Sequence, residues 1–324
     1  MPSLSPPEFW SRPGLVPSLL EPAARAYAAL GAARRALTTP WRAPVPVICV
    51  GNLVLGGAGK TPVAEALARL LSAAGKAPHI LSRGYGGAAA GPLRADPTRH
   101  TAREIGDEPL LLARVAPVWI ARDRAAGARA AVAAGARCLI LDDGFQNPSL
   151  VQDLALLVID GGYGLGNGRV VPAGPLREPA GRGLARADAI LVMGEDDAQI
   201  ARRLGRPALR AALVPMNGGD FARRKVVAFA GIGRPEKFFA ALEAAGADIA
   251  ARHAFPDHHP YREAELDVLR DEARARDALL VTTEKDHVRL RDSWRAQIAA
   301  LAVRVAWRDE AAVSGLLAAL FHDG

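Results

Sequence analysis

A short apolar run that leads into a glycine-rich turn, and then into Lys-Thr, constrains the fold of this chain most strongly. Residues 45–61 read Val-Pro-Val-Ile-Cys-Val-Gly-Asn-Leu-Val-Leu-Gly-Gly-Ala-Gly-Lys-Thr, and a helical pattern follows. A buried strand, a turn with little side chain and a helix form the context that a phosphate-binding loop needs. Backbone N–H groups of the turn can surround phosphate oxygens, and the helix adds its positive end. The sequence therefore predicts a nucleotide-phosphate site made by Val54, Leu55, Gly56, Gly57, Ala58, Gly59, Lys60 and Thr61.

Within this loop, Lys60 is expected to hold the β- and γ-phosphates and Thr61 to ligate Mg²⁺. One position departs from the common pattern G-x-x-x-x-G-K-[ST], which has glycine where this chain has Val54. The form Gly-Gly-x-Gly-Lys-Thr is instead typical of another branch of P-loop proteins. The alternative, a glycine-rich turn with a solvated lysine, is disfavoured by the strand and the helix on either side.

A second apolar run ends in two carboxylates. Residues 138–144 read Cys-Leu-Ile-Leu-Asp-Asp-Gly. Because ligands of open α/β sheets bind at the carboxyl ends of the strands, Asp142 suits the Walker B role of holding Mg²⁺ directly or through water. A strand that ends in Asp is commonplace, and a turn or cap residue is the simpler interpretation of it alone. The phosphate loop upstream is what favours the metal interpretation.

Apolar runs alternate with helical patterns along the rest of the chain. The first series predicts strands at Val45–Val50, His79–Leu81, Val118–Ile120, Cys138–Leu141, Leu156–Ile159 and Ala189–Met193, and helices at Thr61–Ala74, Glu108–Val115 and Arg124–Ala134. The second series predicts strands at Val226–Phe229, Leu279–Val281 and Leu301–Val305, and helices at Glu236–Ala245, Arg262–Ala275 and Glu310–Phe321. Continuous apolar strands indicate burial on both faces, and alternation with helices indicates a parallel sheet. We therefore predict an α/β fold: a P-loop NTPase-like, mostly parallel sheet sandwiched by helices, with a second, smaller α/β domain.

The same patterns divide the chain into four segments. An N-terminal amphipathic segment takes residues 1–42, the phosphate-loop domain 43–213, a linker 214–220 and the C-terminal α/β domain 221–324. The linker is predicted from Val-Pro-Met-Asn-Gly-Gly-Asp, which is rich in turn formers. The glycine-rich stretch 161–181 is long for a connection inside a compact domain, which is typical of a functional or a disordered loop.

Composition limits the partners of the chain but does not choose among them. The net charge of +7 suits an anionic partner: a phosphorylated substrate, an anionic membrane surface or nucleic acid. Nucleic acid is the weakest of these, because aromatic residues make up 5% of the chain and no basic run interleaves with them. Two cysteines inside apolar runs, Cys49 and Cys138, indicate core packing and a reducing compartment. Neither a signal peptide nor a transmembrane span is expected.

The segment Leu15–Leu37 can form helices that are broken near Pro17 and Pro22. Leu19, Ala23, Tyr27 and Leu30 fall on one helical face, with arginines elsewhere. A basic amphipathic helix of this kind can lie in a membrane interface. A helix packed on its own domain, with ordinary solvated arginines, is the competing interpretation and the more common one.

Three further clusters carry chemistry-bearing side chains. Asp107 begins a helix pattern, where it is either the N-cap or a carboxylate placed near the phosphates as a general base. His258, in Asp-His-His, favours acid–base work with a carboxylate over a closed zinc site, since no other ligand lies within zinc spacing; an exposed loop pair is the alternative. Arg177 and Glu178, between two prolines, suit phosphate recognition or a surface ion pair.

Taken together and in order, the motifs of the chain resemble the tetraacyldisaccharide 4'-kinase (lipid A 4'-kinase) family over nearly its whole length. In the first domain the shared motifs are Val50-Gly51-Asn52, Gly56-Gly57-Ala58-Gly59-Lys60-Thr61-Pro62, Ser82-Arg83-Gly84-Tyr85-Gly86-Gly87, Gly106-Asp107-Glu108-Pro109, Asp142-Asp143-Gly144-Phe145-Gln146, Gly166-Asn167-Gly168-Arg169 and Pro172-Ala173-Gly174-Pro175-Leu176-Arg177-Glu178-Pro179. In the second domain they are Phe229-Ala230-Gly231-Ile232-Gly233-Arg234-Pro235, Phe255-Pro256-Asp257-His258-His259 and Thr282-Thr283-Glu284-Lys285-Asp286.

This resemblance implies two α/β domains joined by a short β-linker and a kinase that uses ATP and Mg²⁺. The γ-phosphate would go to the 4'-hydroxyl of a tetraacylated glucosamine disaccharide 1-phosphate, a step of lipid A biosynthesis. The N-terminal helix would sit on the cytoplasmic face of the bacterial inner membrane. The implied partners are therefore an acylated disaccharide phosphate lipid and the membrane surface, with neither nucleic acid nor an obligate protein partner.

The resemblance also assigns roles to residues. Asp107 matches the family's catalytic carboxylate and His258 its histidine partner, while Asp142 and Asp143 match the acidic pair at the metal. The active-site residues implied in the same way are Gln146, Arg177, Glu178 and, as a phosphate-contacting arginine, Arg124. Val54, Ala58 and Asn147 stand where family members often have Thr, Thr and His, so they bear on nucleotide preference rather than on the reaction class.

Two other function classes share the loop. A P-loop ATPase of the partitioning or metal-insertion type would couple hydrolysis to a protein partner, but it usually carries a lysine where this chain has Leu55. A membrane-bound, nucleotide-sensing adaptor would not be an enzyme at all. If Asp107 and His258 do act together, the two domains have to close on each other, because each domain supplies one of them.

Overall fold

A computed structural model describes residues 7–321 of the chain. Its first part contains α1 (Leu15–Leu37), β1 (Val47–Gly51), α2 (Lys60–Ala73), β2 (Pro78–Ser82), β3 (Leu93–Arg94), α3 (Ala102–Ile105), α4 (Asp107–Leu112), β4 (Val118–Ile120), α5 (Arg124–Ala133), β5 (Cys138–Asp142), β6 (Leu154–Asp160), α6 (Ala180–Arg186), β7 (Ala189–Met193), α7 (Ile200–Leu204) and β8 (Leu209–Pro215). Its second part contains β9 (Lys225–Ala230), α8 (Pro235–Ala244), β10 (Asp248–Ala254), α9 (Glu263–Ala275), β11 (Leu279–Thr283), α10 (Glu284–His287), α11 (Asp292–Arg295), β12 (Ala299–Leu301), β13 (Val303–Trp307) and α12 (Glu310–Ala318). Short 3₁₀ turns lie at Glu8–Trp10, Gly218–Phe221 and Ala319–Phe321.

A nine-stranded sheet forms the first domain, in the order β13-β8-β7-β6-β1-β5-β2-β4-β3. Its strands are parallel except for β13 and β3, which pair antiparallel to β8 and β4. Successive residues of β1 point to opposite faces: Ile48 and Val50 join one apolar cluster, and Val47 and Cys49 join the other. Both faces are therefore covered by helices, which explains the continuous apolar strands and confirms the predicted fold class.

The second domain is built on a four-stranded parallel sheet in the order β10-β9-β11-β12. On one face, α8 contributes Phe238, Phe239 and Leu242 to the core. On the other face, α9 contributes Leu266 and Leu269. The two domains thus have separate cores of the same layered type.

The chain crosses between the domains twice, on neighbouring antiparallel strands. It leaves the large sheet along β8 and returns along β13, which pairs with β8 from Val303↔Pro215 to Trp307↔Ala211. Val313 and Leu317 of α12 then pack in the core of the large sheet. The predicted C-terminal domain 221–324 therefore needs correction: the residues after Ala302 return to the first domain because their apolar side chains complete its core. Residues 322–324 lie outside the described part.

Local differences from the sequence expectations have identifiable causes. The helix α1 runs unbroken through Pro17 and Pro22; Pro17 stands in the first turn, where no N–H partner is lost, while Pro22 lies inside the helix. The predicted strand Leu301–Val305 is two strands, β12 and β13, which belong to different sheets. The strands β3, β8 and β10 were not predicted; β10 is an edge strand whose side chains are all at least partly exposed, so it lacks a continuous apolar run.

Candidate active site

The phosphate loop joins the central strand β1 to α2. Gly56 and Gly59 adopt positive φ angles of 119° and 84°, which side chains rarely tolerate. The helix α2 then begins at Lys60 and buries the stripe Val63, Ala64, Leu67, Ala68 and Leu71. Its free N–H groups and dipole consequently point at the carboxyl edge of the sheet, where an anion would lie.

Val54, the departure from the common loop pattern, has a packing role in this fold. It forms a bridge with Leu176, and both side chains are buried in the same apolar cluster. Backbone bonds on either side extend the pairing: Leu55 N donates to Pro175 O at 2.8 Å, and Arg177 N donates to Leu53 O at 2.7 Å. A side chain at position 54 thus fastens the glycine-rich segment 161–181 to the phosphate loop, and this segment is ordered rather than disordered.

The predicted metal-binding side chains meet beside Lys60. Thr61 Oγ1 lies 3.2 Å from Asp142 Oδ2. Burial, with the negative charges of Glu108 and Asp143, raises the pKa of Asp142 to about 7. A bound cation would reverse that effect, so Thr61 and Asp142 fit a Mg²⁺ that also takes phosphate oxygens. Among residues 7–321, no group of three or more His, Cys, Asp or Glu side chains could hold a metal ion.

Asp143 faces cations instead. Its Oδ1 accepts a hydrogen bond from Arg177 Nη1 at 2.8 Å and lies 3.7 Å from Lys60 Nζ. Burial would raise the pKa of Asp143, but Lys60 and Arg177 outweigh it, and the pKa lies below its usual range. Its backbone φ of 57° is unusual for a residue other than glycine. The left-handed turn directs this carboxylate toward the lysine of the loop.

Gln146 and Glu178 belong to a buried polar network that reaches the N-terminal helix. Gln146 Nε2 donates to Asn52 O at 3.0 Å and to Glu178 Oε1 at 3.2 Å. Glu178 is held in turn by Arg186, with contacts of 2.6 and 2.9 Å, and by Arg35 of α1 at 3.2 Å. Sequence reasoning did not identify Arg35 or Arg186. The position of Arg186, eight residues or about two helical turns after Glu178, was the available local signal, while Arg35 lies 143 residues away.

Arg124 stands at the start of α5, behind the acidic pair. It is 3% exposed, and its Nη1 donates to Ala121 O. Burial lowers its pKa to about 10, against the opposing effect of Asp142. In the described part of the chain, its buried Nε has no hydrogen-bond partner. A buried guanidinium with a free N–H beside two carboxylates suits a phosphate ligand.

Asp107 and His258 come together across the two domains. Asp107 is 3% exposed and is the first residue of α4 rather than its N-cap, which is Gly106. Its Oδ2 lies 3.1 Å from His258 Nδ1 and 2.9 Å from Arg289 Nε, while its Oδ1 accepts from Glu108 N at 2.9 Å. Burial would raise the pKa of Asp107, but the hydrogen bond with His258 and the charges of Lys285 and Arg289 outweigh it. The pKa of Asp107 therefore lies well below its usual range.

Arg289 was not identified from the sequence. Its guanidinium also contacts Asp286 Oδ1 at 3.1 Å and donates to Gly231 O at 3.1 Å, so its position is set by the second domain. The charge of Glu108, next to Asp107, acts on both Lys60 and Asp142. The cross-domain cluster of Asp107, His258 and Arg289 therefore lies next to the phosphate loop. The site has two ends: a nucleotide end at the phosphate loop and a carboxylate end at Asp107.

A protein-family model for tetraacyldisaccharide-1-P 4'-kinase matches residues 16–322, which include both domains. The chain belongs to this family. It is 58% identical to the tetraacyldisaccharide 4'-kinase of Rhodospirillum centenum over 97% of this chain and 96% of that one. It is 53% identical to the enzyme of the same name from Methylorubrum extorquens, over 98% and 99% of the two chains.

A solved structure also resembles this tetraacyldisaccharide 4'-kinase family member. LpxK from Aquifex aeolicus, in complex with ATP, matches with a TM-score of 0.77 and 29% sequence identity, covering 95% of this chain and all of that one. Because the likeness extends over both domains, it supports the two-domain α/β fold as a whole. The chain is therefore a kinase of this family, and ATP is the nucleotide bound by its solved relative.

Proposed function

We propose that this protein transfers the γ-phosphate of ATP to the 4'-hydroxyl of a tetraacylated glucosamine disaccharide 1-phosphate, in lipid A biosynthesis. One observation carries the proposal: in this member of the family, Asp107 Oδ2 lies 3.1 Å from His258 Nδ1, at the same edge of the sheet as the phosphate loop. Phosphoryl transfer needs one subsite for the phosphates and another for the attacking hydroxyl. The end of the site at the phosphate loop suits the phosphates, and the end at Asp107 and His258 suits the hydroxyl.

The nucleotide end would hold the phosphates. Amides of the glycine turn, the N-terminus of α2 and Lys60 would bind the β- and γ-phosphate oxygens. Thr61 and Asp142 would hold Mg²⁺, which would supply positive charge to neutralise the charge that develops during transfer. Asp143, fixed between Lys60 and Arg177, would keep both cations aimed at the transferred group.

The carboxylate end would orient the acceptor. The hydroxyl oxygen attacks the γ-phosphorus, the bond to the β–γ bridging oxygen breaks, ADP leaves, and the hydroxyl proton passes to Asp107. Two donors, His258 and Arg289, occupy Oδ2, so the second lone pair of Oδ1 is the one left for the hydroxyl. A carboxylate with such a low pKa is a weak base. In a loose transition state the proton leaves late, so orientation by Asp107 contributes more than its basicity.

The acceptor lipid stays in a bilayer, and α1 offers a surface for reaching it. Leu15, Leu19, Leu30 and Leu37 are 84%, 79%, 73% and 87% exposed. At 3.6 residues per turn, their side chains fall within about 60° of one another on one face of α1. The opposite face carries the buried Pro17 and Ala24 and packs on the domain. No helix within residues 7–321 is long and apolar enough to cross a bilayer.

We therefore propose that α1 lies in the headgroup region of the cytoplasmic face of the inner membrane, with its leucines toward the acyl chains. Its inner side is tied to the active-site segment: Glu21 pairs with Arg169 at 2.9 Å, and Arg35 pairs with Glu178 at 3.2 Å. The helix would then hold the sheet edge toward the lipid surface. Residues 1–6 of the predicted membrane segment lie outside the described part.

Transfer of labelled phosphate tests this function directly. The enzyme is incubated with γ-labelled ATP and Mg²⁺, with and without vesicles that contain the acylated disaccharide phosphate, and lipid and free phosphate are then separated. The expected result is label in the lipid fraction, lost in Lys60→Met. Lipid-independent release of free phosphate would instead indicate a P-loop ATPase, and binding without turnover would indicate a nucleotide-sensing adaptor.

A further inference from the structure

A lysine of the second domain, Lys285, contacts the far side of the His258 ring. Its Nζ lies 3.3 Å from His258 Nε2, 3.2 Å from Glu108 Oε1 and 3.7 Å from Asp257 Oδ1. These three groups come from both domains, and the lysine joins them at one point. His258 therefore has Asp107 within hydrogen-bond distance of Nδ1 and Lys285 within hydrogen-bond distance of Nε2, while Asp257 Oδ1 lies farther from Nε2, at 3.9 Å.

The chemistry of these partners fixes where the imidazole proton lies. A lysine ammonium has three donors and no acceptor, and an ionised carboxylate only accepts. Facing Lys285, Nε2 of His258 has to accept, and facing Asp107, Nδ1 has to donate. Only the neutral tautomer with its proton on Nδ1 satisfies both contacts; the other tautomer would oppose N–H to ammonium and a lone pair to the carboxylate.

From this geometry we infer that Lys285 is a positioning residue, which locks His258 in the Nδ1–H tautomer and thereby aims Asp107 at the acceptor hydroxyl. The inference rests on the proposed function, since it explains how the histidine serves that carboxylate. Lys285 itself touches neither the phosphate loop nor a reacting atom. It acts through His258. Because Lys285 also contacts Glu108 of the first domain, it is held in this position only when the two domains are in contact.

The surroundings of Lys285 keep it charged. The charged groups that face it are Glu108 and Asp107 from the first domain, and Asp257 and Arg289 from the second. Burial would lower the pKa of Lys285, but the three carboxylates outweigh it and the pKa lies above its usual range. The lysine is thus an ammonium across the working pH range, and it can only donate to His258.

The backbone that carries Lys285 is also fixed. The next residue, Asp286, is fully buried and accepts from Gly231 N at 3.0 Å, from Tyr261 Oη at 2.9 Å and from Thr283 Oγ1 at 2.6 Å. His258, by contrast, has a φ of 58° and half-open surroundings, with Tyr85 edge-on at 5.4 Å. The His258 ring could otherwise flip, so a hydrogen-bond donor that determines its tautomer has to be held in a fixed position, as Lys285 is.

The test compares Lys285→Met, which keeps the stem and removes the donors, with Lys285→Arg, which keeps a donor. Lys237→Met is the matched control: Lys237 is also a cross-domain lysine, paired with Asp160, and it does not contact His258. Each full-length variant is examined by long-range ¹H–¹⁵N NMR with labelled histidine, which identifies the protonated ring nitrogen. The His258 signal is assigned by its loss in His258→Gln, and kcat and KM are measured in parallel.

We expect the wild type and Lys237→Met to show the Nδ1–H tautomer, and Lys285→Met to show an Nε2–H fraction. We expect Lys285→Met to lower kcat by up to about 10²-fold, the cost of a misplaced catalytic group, with KM for ATP unchanged. Lys285→Arg should restore the tautomer and part of kcat. Lys237→Met should change kcat by no more than about fivefold, because Lys237 is mostly exposed and Arg234 still pairs with the buried Asp160.

Three outcomes would overturn the inference: an Nε2–H or doubly protonated His258 in the wild type, an unchanged tautomer in Lys285→Met, or an equal loss of kcat in Lys237→Met. An equal loss of kcat in Lys237→Met would show that Lys285 acts only as one of several contacts that hold the domains together. Because the NMR measurement needs no acceptor lipid, it decides the tautomer even if labelled phosphate never reaches lipid. Failure of the proposed function is therefore distinguishable from failure of the lock.

Discussion

At the scale of single residues, Asp107 is distinguished by how strongly its charge is compensated. Its Oδ2 contacts the imidazole of His258 and the guanidinium of Arg289, and its Oδ1 accepts a hydrogen bond from the backbone N–H of Glu108. This arrangement orders the carboxylate and lowers its pKa, which opposes a role as a strong base. In the proposed mechanism, this carboxylate would be a fixed acceptor for the attacking hydroxyl. Catalysis at this residue would therefore depend on geometry first and on proton affinity second.

Asp107→Ala should reduce kcat by about 10²–10⁴-fold, the usual range for loss of an acid–base group. Nucleotide binding should survive, because the phosphate loop is untouched. Initial rates with lipid vesicles and a separate ATP-binding titration check both parts. Asp107→Asn, which keeps the shape of the side chain, guards against collapse of the cluster. Near-normal turnover in either variant would remove Asp107 from the mechanism.

The pKa of Asp142, about 7, lies above its unfolded value of about 3.9. Between about pH 4 and 7 the folded protein keeps a proton that the unfolded chain has lost, so its stability without metal falls as the pH rises through that window. Mg²⁺ at the proposed site would bind the ionised carboxylate and compete with this proton. The increase in melting temperature that Mg²⁺ adds to an ADP-saturated sample should thus be larger at pH 8 than at pH 6. In Asp142→Asn, thermal melts at the two pH values should show the same increment.

The residues of this site were unequally accessible to sequence reasoning. Lys60 and Thr61 follow from local chemistry, because one loop brings a strand, a turn and a helix together. Asp107 and His258 were candidates from their local sequence, but their pairing followed only from the family resemblance, since nothing in the sequence shows that residues 151 positions apart would meet. Lys285 lies in a motif of that resemblance but received no role, and Arg289 was not identified at all, because the role of each depends on where the second domain docks.

At the scale of elements, α1 combines two surfaces with different tasks. Its inner face is anchored by ion pairs to the segment that contains Arg169 and Glu178. Its outer face presents leucines to solvent, which is an unfavourable arrangement unless an apolar medium covers them. The sequence predicted this amphipathic face, but not that one unbroken helix would carry it or that Arg35 would reach the active-site network.

The triple variant Leu19→Ser/Leu30→Ser/Leu37→Ser should lose most of its binding to anionic vesicles. Burial of one leucine contributes about 1.5–3 kcal/mol, or roughly tenfold or more in partitioning. Co-sedimentation with vesicles measures this, and nucleotide binding should not change. Val268→Ser is the matched control, since Val268 is an apolar side chain 67% exposed on α9. Equal sedimentation of the triple variant and the wild type would show that α1 is not the membrane contact.

At the scale of the whole molecule, two α/β domains meet at two separate sets of charges. One set is the cluster around Asp107 and Glu108. The other is Asp160, at the end of β6, which pairs with Arg234 at 2.9 Å and with Lys237 from the second domain. The antiparallel pair β8 and β13 is the covalent route between the domains. The sequence predicted one crossing at 214–220; the return strand was hidden because a short apolar run fits either sheet.

Asp160→Asn should weaken closure without touching the chemistry. The side chain of Asp160 is 4% exposed, and replacing it leaves two partly exposed cations facing a neutral amide. Since loss of one partner of a buried charge pair costs a few kcal/mol and solvent relieves part of it, we expect kcat/KM for the lipid acceptor to fall about tenfold. ATP affinity should stay constant, because the loop lies in one domain. Proteolysis near residues 216–220 should become faster as the domains separate more often.

Glu65→Gln, which breaks a surface pair within α2, should alter none of these quantities. If Asp160→Asn matched Glu65→Gln in all three measurements, closure would depend on the Asp107 cluster alone.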